Sequence, residues 1–228
     1  MSDRSFFRPD DPILAIDLCL GACVVAAEGV EGSVLLEEPM TRGHQERLAP
    51  LVRDAVARSG LQFNDLRRVG VTVGPGSFTG LRVGLSFAKT LALALGIECV
   101  GFSSLSALAV TVKAQGVVVA VIPSRQDQFF VQMFSDGAAV TAPDLLTETE
   151  IAARLAEVWT SGGLTLVGPG AEALQALSLN AQMSPSVYPS AQALLALTRS
   201  ASRPLSPPRP LYLRAPDART MAERQALG

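Results

Sequence analysis

The sequence has few of the residues that metal centres and nucleophilic active sites require. It contains one histidine, His44, and three cysteines, Cys19, Cys23 and Cys99. A metal site with two histidine ligands is therefore excluded within this chain, and the cysteines have neither C-x-x-C nor any other zinc spacing. A Ser-His-Asp or Cys-His arrangement would need His44 as its base. Because His44 follows Gly43 at the start of an amphipathic segment, we expect a surface or interface residue, and we expect buried free thiols.

The chain also lacks an excess of positive charge, and its most apolar early stretch is too short to span a membrane. Its formal net charge is −2, so no overall positive field favours nucleic-acid binding, and we expect any RNA contact to need a partner. Residues 13–27 are fewer than the roughly 20 needed to cross a bilayer, and they include Asp17. Residues 1–12 lack the features of a signal peptide. We therefore expect a cytoplasmic protein that does not contact a membrane.

The first half of the chain alternates strand and helix patterns. Hydrophobic residues make up 48% of the 228 residues, enough to build one large domain or two smaller ones. Apolar runs between turn residues and apolar residues at helical spacing predict the elements. In chain order these are strands 12–17, 22–28 and 33–38, helix 44–59, strand 68–74, helix 79–95 and strand 98–104. This order resembles a ribonuclease H-like half that begins with an antiparallel meander.

The second half predicts a degenerate version of the same plan. Its predicted elements are helix 104–112, strands 117–123 and 128–135, helix 148–160 and strand 164–168. We expect an α/β protein with a junction near Ser104, in which residues 1–104 form the N-terminal lobe and residues 105–228 a smaller C-terminal lobe. The proline-rich stretch 202–210 predicts a stiff connector to a last packed segment, 211–214, rather than a polyproline ligand.

A glycine-rich turn, GPGSFTG at residues 74–80, lies between a predicted strand and a predicted helix. Backbone amides at such a place bind anions in many proteins. A P-loop needs lysine after its second glycine, whereas Leu81 follows here and Lys89 lies more than two turns further on. The residues therefore favour a tight strand-to-helix turn over a nucleotide loop, with Ser77 or Thr79 capping the helix.

The helix after this turn has a row of small residues. Gly80, Gly84 and Ala88 recur every four residues, although an interior glycine costs about 1 kcal/mol relative to alanine. Such a row forms a groove that another helix can enter closely, while leucines on a second side face the chain's own sheet. We favour a helix of another subunit in this groove. Burial within the chain's own interior is the alternative, since two-domain α/β folds also bury helices between lobes.

Asp17 is the one carboxylate placed as in a kinase-type magnesium site, at the end of the first predicted strand. In the actin, sugar kinase and Hsp70 superfamily, that strand leads into a small phosphate-binding turn of the D-x-G-T kind. Here Leu18, Cys19 and Leu20 follow, and their apolar side chains do not suit a phosphate. We expect Asp17 to hydrogen-bond the turn, and we predict no catalytic, cofactor-binding or metal-binding residues in this chain.

Five stretches together resemble the bacterial TsaB (YeaZ) family, whose members are needed to make threonylcarbamoyladenosine in tRNA. They are ILAID (13–17), GHQERLAPLV (43–52), GVTVGPGSFTGLRVGLSFAKTLALALG (70–96), GFSSLSALA (101–109) and LYLR (211–214). The similarity covers residues 13–108 and depends most on the distinctive GPGSFTG-[LV]-R core. It implies two ribonuclease H-like lobes of the actin, sugar kinase and Hsp70 (ASKHA) superfamily, the second lobe being degenerate.

The resemblance further implies a non-catalytic scaffold or activator without a cofactor. Such a subunit dimerises with TsaD, which together with the ATPase TsaE forms N6-threonylcarbamoyladenosine at the adenosine 3′ of the tRNA anticodon. It also implies homodimers, and tRNA contact only through the complex. The predicted helices 44–59 and 79–95 would form the dimer surface. The expected interface residues are His44, Arg47, Leu48, Leu51, Val52, Ala55, Thr79, Gly80, Arg82, Val83, Gly84, Phe87, Ala88 and Leu91.

Two other classes of function stay open at this point. A small-molecule kinase or ATPase of the same superfamily would bind ATP and lose binding on Asp17→Ala. A peptidase, the weaker alternative, would depend on His44. The family has Asp-Thr where this chain has Asp17 and Leu18, a departure that disfavours a nucleotide site.

Overall fold

Two sheets flanked by helices make up the computed structural model, which describes residues 7–40, 43–177 and 181–213. The first sheet has the strand order β3-β2-β1-β4-β5. Its strands are β1 (Ile13–Asp17), β2 (Ala22–Gly29), β3 (Gly32–Pro39), β4 (Arg68–Thr72) and β5 (Glu98–Phe102). The first three form the predicted antiparallel meander, and β4 and β5 continue the sheet parallel to β1.

The second sheet has the order β11-β10-β6-β7-β8, with β9 also paired to β7. Its strands are β6 (Val117–Pro123), β7 (Gln128–Ser135), β8 (Ala138–Ala139), β9 (Asp144–Thr147), β10 (Leu164–Val167) and β11 (Gln182–Met183). The helices are α1 (His44–Arg58), α2 (Phe78–Leu95), α3 (Ser104–Thr111), α4 (Glu148–Val158) and α5 (Ala191–Ser200). The predicted fold class, two α/β lobes with a reduced second lobe, is confirmed. The junction at residue 104 stays a prediction.

β1 is a continuous apolar run because both faces of the first sheet are covered. Successive side chains of a strand point to opposite faces. Leu14 and Ile16 accordingly lie in the core that α1 and α2 build on one face. Ile13 and Ala15 lie in the core that α3 and α5 build on the other. All five residues of β1 are buried, so the strand supports both layers of helices.

The sequence prediction missed helix α5 and the short strands β8, β9 and β11. Ser190 is the N-cap of α5, and the Ser190 side chain accepts a hydrogen bond from the amide of Ala193. Leu194 and Leu195 are buried against the first sheet. α5 therefore belongs to the second half of the chain in sequence but packs on β1, β2 and β4 of the first sheet. Its cap and apolar spacing were visible signals in the sequence.

The last described segment, residues 203–213, is called here the strap. It contains no helix or strand, as predicted for most of its length. The strap begins with Arg203, whose Nε lies 3.6 Å from the carboxylate of Glu98 on β5. It ends where the Leu211 amide donates to the Val73 carbonyl at 2.8 Å. Because prolines cannot extend a sheet, the strap covers the edge strand β5 without adding a strand. Packing of the last segment is confirmed for residues 211–213, and Arg214 lies outside the described residues.

Arg68 links α5 to the first sheet through hydrogen bonds of its guanidinium. Its buried side chain donates to a carboxylate oxygen of Glu98 at 2.6 Å and to the carbonyl oxygens of Thr198 at 3.1 Å and Ala201 at 2.8 Å. These carbonyls end α5, where the helix dipole favours a cation. One guanidinium therefore links β4, β5 and the C-terminus of α5.

Replacing Arg68 with alanine is expected to lower the free energy of unfolding by about 3–5 kcal/mol, because it leaves one carboxylate oxygen of the partly buried Glu98 and the helix carbonyls without their donor. The matched control is Arg58→Ala, which breaks an exposed pair with Asp54 and should cost less than about 1 kcal/mol. Urea unfolding of both variants measures the difference. Equal losses would contradict the role given to Arg68.

The glycine-rich turn and the outer face of helix α2

The glycine-rich turn is held by the chain's own backbone. The amide of Ser77 donates to the Cys19 carbonyl oxygen at 2.8 Å. The Ser77 side chain in turn accepts from the Gly80 amide at 3.2 Å. Ser77 is thus the N-cap of α2, which confirms one of the two residues expected to cap it, while Thr79 lies exposed in the first turn.

Two glycines of this turn allow the segment between β1 and β2 to pass directly in front of α2. A Cβ on Gly76 would overlap the carbonyl oxygen of Cys19, and a Cβ on Gly80 would overlap that of Leu18. Carbonyl oxygens therefore lie where an anion would meet a helix N-terminus in a phosphate site. The geometry agrees with the tight strand-to-helix turn favoured by the residues.

The row of small residues on α2 faces inward. A Cβ on Gly84 would lie 3.5 Å from the Leu18 side chain and 3.8 Å from that of Val71, and Ala88 is fully buried. The prediction that a foreign helix fills the groove along Gly80, Gly84 and Ala88 is therefore wrong. The small residues bring α2 close to its own sheet, which was the alternative considered from the sequence.

Four of the expected interface residues on α1 also point into the chain's own core. Leu48, Leu51, Val52 and Ala55 are each at most 3% exposed, since they form the apolar side of α1 over the first sheet. They can support an interface but offer almost no surface to a partner. Arg47 is exposed and pairs with Glu38. The side chain of His44 lies outside the described residues.

The remaining expected residues lie on or beside the outer face of α2. Thr79 and Arg82 are exposed, whereas Val83, Phe87 and Leu91 are half-buried and also pack against the core beneath α1 and α2. Three further exposed residues on this side were not expected from the sequence. The outer face is defined here as Thr79, Arg82, Val83, Ser86, Thr90 and Leu93. Their helical spacing, opposite the glycine row, was a signal that could have found them.

α2 keeps apolar side chains in contact with solvent at both of its ends. Leu93 is 83% exposed near its end and Phe78 is 56% exposed at its start. The guanidinium of Arg82 lies 3.8 Å from the centroid of the Phe78 ring, and the ring of Tyr212 in the strap lies 6.5 Å from it, centroid to centroid. By length and composition, α2 is the one helix of the described residues that could cross a membrane. Such a result is weak evidence, because core helices pass the same test.

Asp17 is buried beneath the turn and hydrogen-bonds it, as expected. One carboxylate oxygen accepts from the amide of Cys19 at 3.0 Å and from the hydroxyl of Thr72. The other has no hydrogen-bond partner among the described residues. Burial raises the pKa of Asp17 to about 6, against the lowering effect of these hydrogen bonds. The three cysteines are buried free thiols, as predicted, and burial raises the pKa of Cys19 to about 12.

An apolar cluster fills the space beyond the carboxyl ends of the parallel strands, where open α/β sheets commonly bind ligands. Cys19 and Leu20 from the first turn and Leu81 from α2 pack there against residues of the second half, among them Leu108 and Phe134. In the described part of the chain, no three His, Cys, Asp or Glu side chains converge as metal ligands. The arrangement joins the two lobes through apolar contacts.

Alanine at the two helix glycines should have opposite effects. Gly80→Ala forces a methyl group against the Leu18 carbonyl and is expected to destabilise the fold by about 1–3 kcal/mol. Gly84→Ala meets ordinary van der Waals contacts and should stabilise it by up to about 1 kcal/mol through helix propensity. Thermal unfolding of the two variants measures both effects. A Gly80→Ala variant as stable as the wild type would refute the close contact with the Leu18 carbonyl.

Replacing Asp17 with asparagine should raise stability at neutral pH. Between about pH 4 and 6 the folded chain keeps a proton that the unfolded chain releases, so the free energy of unfolding falls as pH rises. For a pKa raised from 3.8 to about 6, the loss by pH 7 is about 3 kcal/mol. Asp17→Asn removes this decline, whereas the exposed control Asp54→Asn keeps it. Urea unfolding at pH 4.5 and 7.5 tests the difference, and an unchanged decline would contradict it.

Comparisons with known proteins identify the family of this chain. The family model "TsaD: tRNA N6-adenosine threonylcarbamoyltransferase" matches residues 37–151. An uncharacterized protein of Mycobacterium tuberculosis is 33% identical over 213 residues, which cover 92% of this chain and 95% of that protein. The tRNA threonylcarbamoyladenosine biosynthesis protein TsaB of Escherichia coli is 39% identical over 98 residues, 42% of each chain.

A solved structure gives the same result for the fold. YeaZ from Pseudomonas aeruginosa superposes with a TM-score of 0.73 at 26% identity, over 82% of this chain and 90% of that one. The match to the Escherichia coli protein spans less than half of its length. The family model covers half of the chain. Two relatives in sequence carry the name TsaB, and the solved structure carries the name YeaZ. The chain belongs to the TsaB (YeaZ) family.

Proposed function

We propose that this chain is a non-catalytic subunit in the biosynthesis of threonylcarbamoyladenosine in tRNA. In this proposal it pairs through α1 and the outer face of α2 with TsaD, the threonylcarbamoyltransferase, and TsaE joins the larger complex. The modified base is the adenosine 3′ of the anticodon, which the chain reaches only through the complex. This biosynthesis takes place in the cytoplasm, and the chain does not contact a membrane. Two copies of the chain can pair through the same face.

The observation that carries this proposal is the outer face of α2. Leu93 is 83% exposed on a helix with only two charged residues, Arg82 and Lys89. Exposed apolar groups in such a setting mark interaction surfaces. α1 packs beside α2, so the two helices can offer one continuous surface, with Val83 and Phe87 half-buried at their junction.

The apolar cluster at the strand ends supports a role other than catalysis. A kinase or ATPase of this fold needs a polar, accessible pocket for phosphates at that place. Leu20 and Leu81 pack there against the second lobe instead, and the carbonyls of Leu18 and Cys19 face the helix N-terminus. No observation favours the kinase or the peptidase as a second candidate.

Substituting Ser86 with tyrosine tests the proposed surface. Ser86 is exposed in the middle of the outer face, so a tyrosine there leaves the core intact but holds a partner helix away. We expect the affinity for the TsaD of the same organism to fall by at least about tenfold, or 1.4 kcal/mol. Isothermal titration calorimetry measures it.

The matched control is Ala196→Tyr, at an exposed position on α5. It adds the same side chain to a helix outside the proposed surface and should leave the affinity unchanged. Circular dichroism should show both variants folded. Full affinity of Ser86→Tyr would remove the outer face of α2 from the interface, and an equal loss in both variants would show that the effect is not local.

A further inference from the structure

We infer that Arg82 and Lys89 select the partner of α2: they favour a helix of another protein that carries acidic residues, and they disfavour a second copy of this chain. The inference rests on the proposed function, in which the outer face of α2 is a docking surface. It adds that the partner is acidic, and it gives a reason why pairing with another protein prevails over pairing of two copies of this chain.

The charge of the helix pair is opposite to that of the whole chain. α1 contains three arginines and two acidic residues, and α2 contains Arg82 and Lys89 without an acidic residue. Together they carry five positive and two negative side chains, a net charge of +3, whereas the whole chain carries −2. The rest of the chain therefore has a net charge of −5. Charged surfaces of complementary sign steer association and reject wrong partners.

The two cations of α2 are available to a partner. On α1, Arg47 pairs with Glu38 and Arg58 pairs with Asp54. Among the described residues, neither Arg82 nor Lys89 lies within ion-pair distance of a carboxylate. Arg82 is instead held over the Phe78 ring, which fixes its guanidinium at the surface. Both side chains can therefore gain a carboxylate from a partner without breaking a pair in this chain.

Lys89 lies on the rim of a cavity of about 630 Å³ between the end of α2 and the strap. Leu93, Ile97 and Leu205 are among the residues that line it, and Leu205 is fully exposed. A partner helix with an apolar side chain one turn from a carboxylate can place that side chain in this cavity and reach Lys89 at the same time. Buried apolar anchors beside polar rims are typical of energetically important interface positions.

A second copy of this chain would present cations, rather than carboxylates, to Arg82 and Lys89. If two α2 helices cross near Ser86, Arg82 and Lys89 of each copy lie about one turn from the crossing point, so the four cations come near one another. The screening length at physiological ionic strength is about 8 Å, so charges at this spacing still repel. Among the described acidic residues on α1, Asp54 is already paired with Arg58, which leaves Glu46 against Arg53 and the two cations of α2. Self-pairing is therefore electrostatically unfavourable.

The experiment compares the wild type with the double variant Arg82→Gln/Lys89→Gln in 50 mM and 500 mM NaCl. At low salt, neutralisation should strengthen self-association about fivefold and weaken binding to the same organism's TsaD about fivefold, as expected for two exposed ion pairs. High salt should shift wild-type affinities in the same two directions. Sedimentation equilibrium measures self-association, and calorimetry measures the complex.

The matched control is Arg8→Gln/Lys113→Gln, which removes two exposed positive charges away from α2 and should change neither affinity. Unchanged affinities in the Arg82/Lys89 variant, a variant with no stronger self-association, or equal weakening of both complexes would overturn the inference. The outcome is distinguishable from failure of the proposed function. If Ser86→Tyr abolishes the complex while the charge variant has no effect, the interface stands and only the selection by charge is refuted.

Discussion

The contact between the turn after β1 and the start of α2 is the constraint on which the rest of the structure depends. Gly76 and Gly80 have no side chains, so the carbonyls of Cys19 and Leu18 come directly against the helix. This contact fixes the rotation of α2, with its small residues toward the sheet. The same contact occupies the place where related folds hold phosphate, and it leaves the opposite face of α2 uncovered.

A consequence of this packing is that apolar side chains beyond the strand ends form the contact between the two lobes. Leu20 and Leu81 contribute to a core shared with the second half of the chain. Asp17 remains below it as a buried carboxylate with a raised pKa, a costly group in such a place. The fold thus keeps the outline of a ligand-binding cleft but uses it to hold the two lobes together.

α1 and α2 could be predicted closely because both have strong local signals. α1 has an apolar stripe between charged residues, and α2 has an N-cap serine at Ser77 and an αL glycine at Gly96. α5 was missed although Ser190 caps it and its apolar residues have helical spacing. Its place on the first sheet depends on Arg68, a residue 130 positions away from Thr198, and such distant pairing has no local signal.

The sequence by itself determined the family, the two-lobed α/β plan, the buried thiols and the capped turn, because periodicity, turn residues and a distinctive motif are local properties of the chain. Only the tertiary structure decided which side of α2 is free. Thr79, Arg82, Ser86 and Thr90 give α2 one polar side, but the row of small residues on the other side suits a partner helix as well as the chain's own sheet. Contact with Leu18 and Val71 settles which of the two it meets. Those contacts exist only after the sheet has formed.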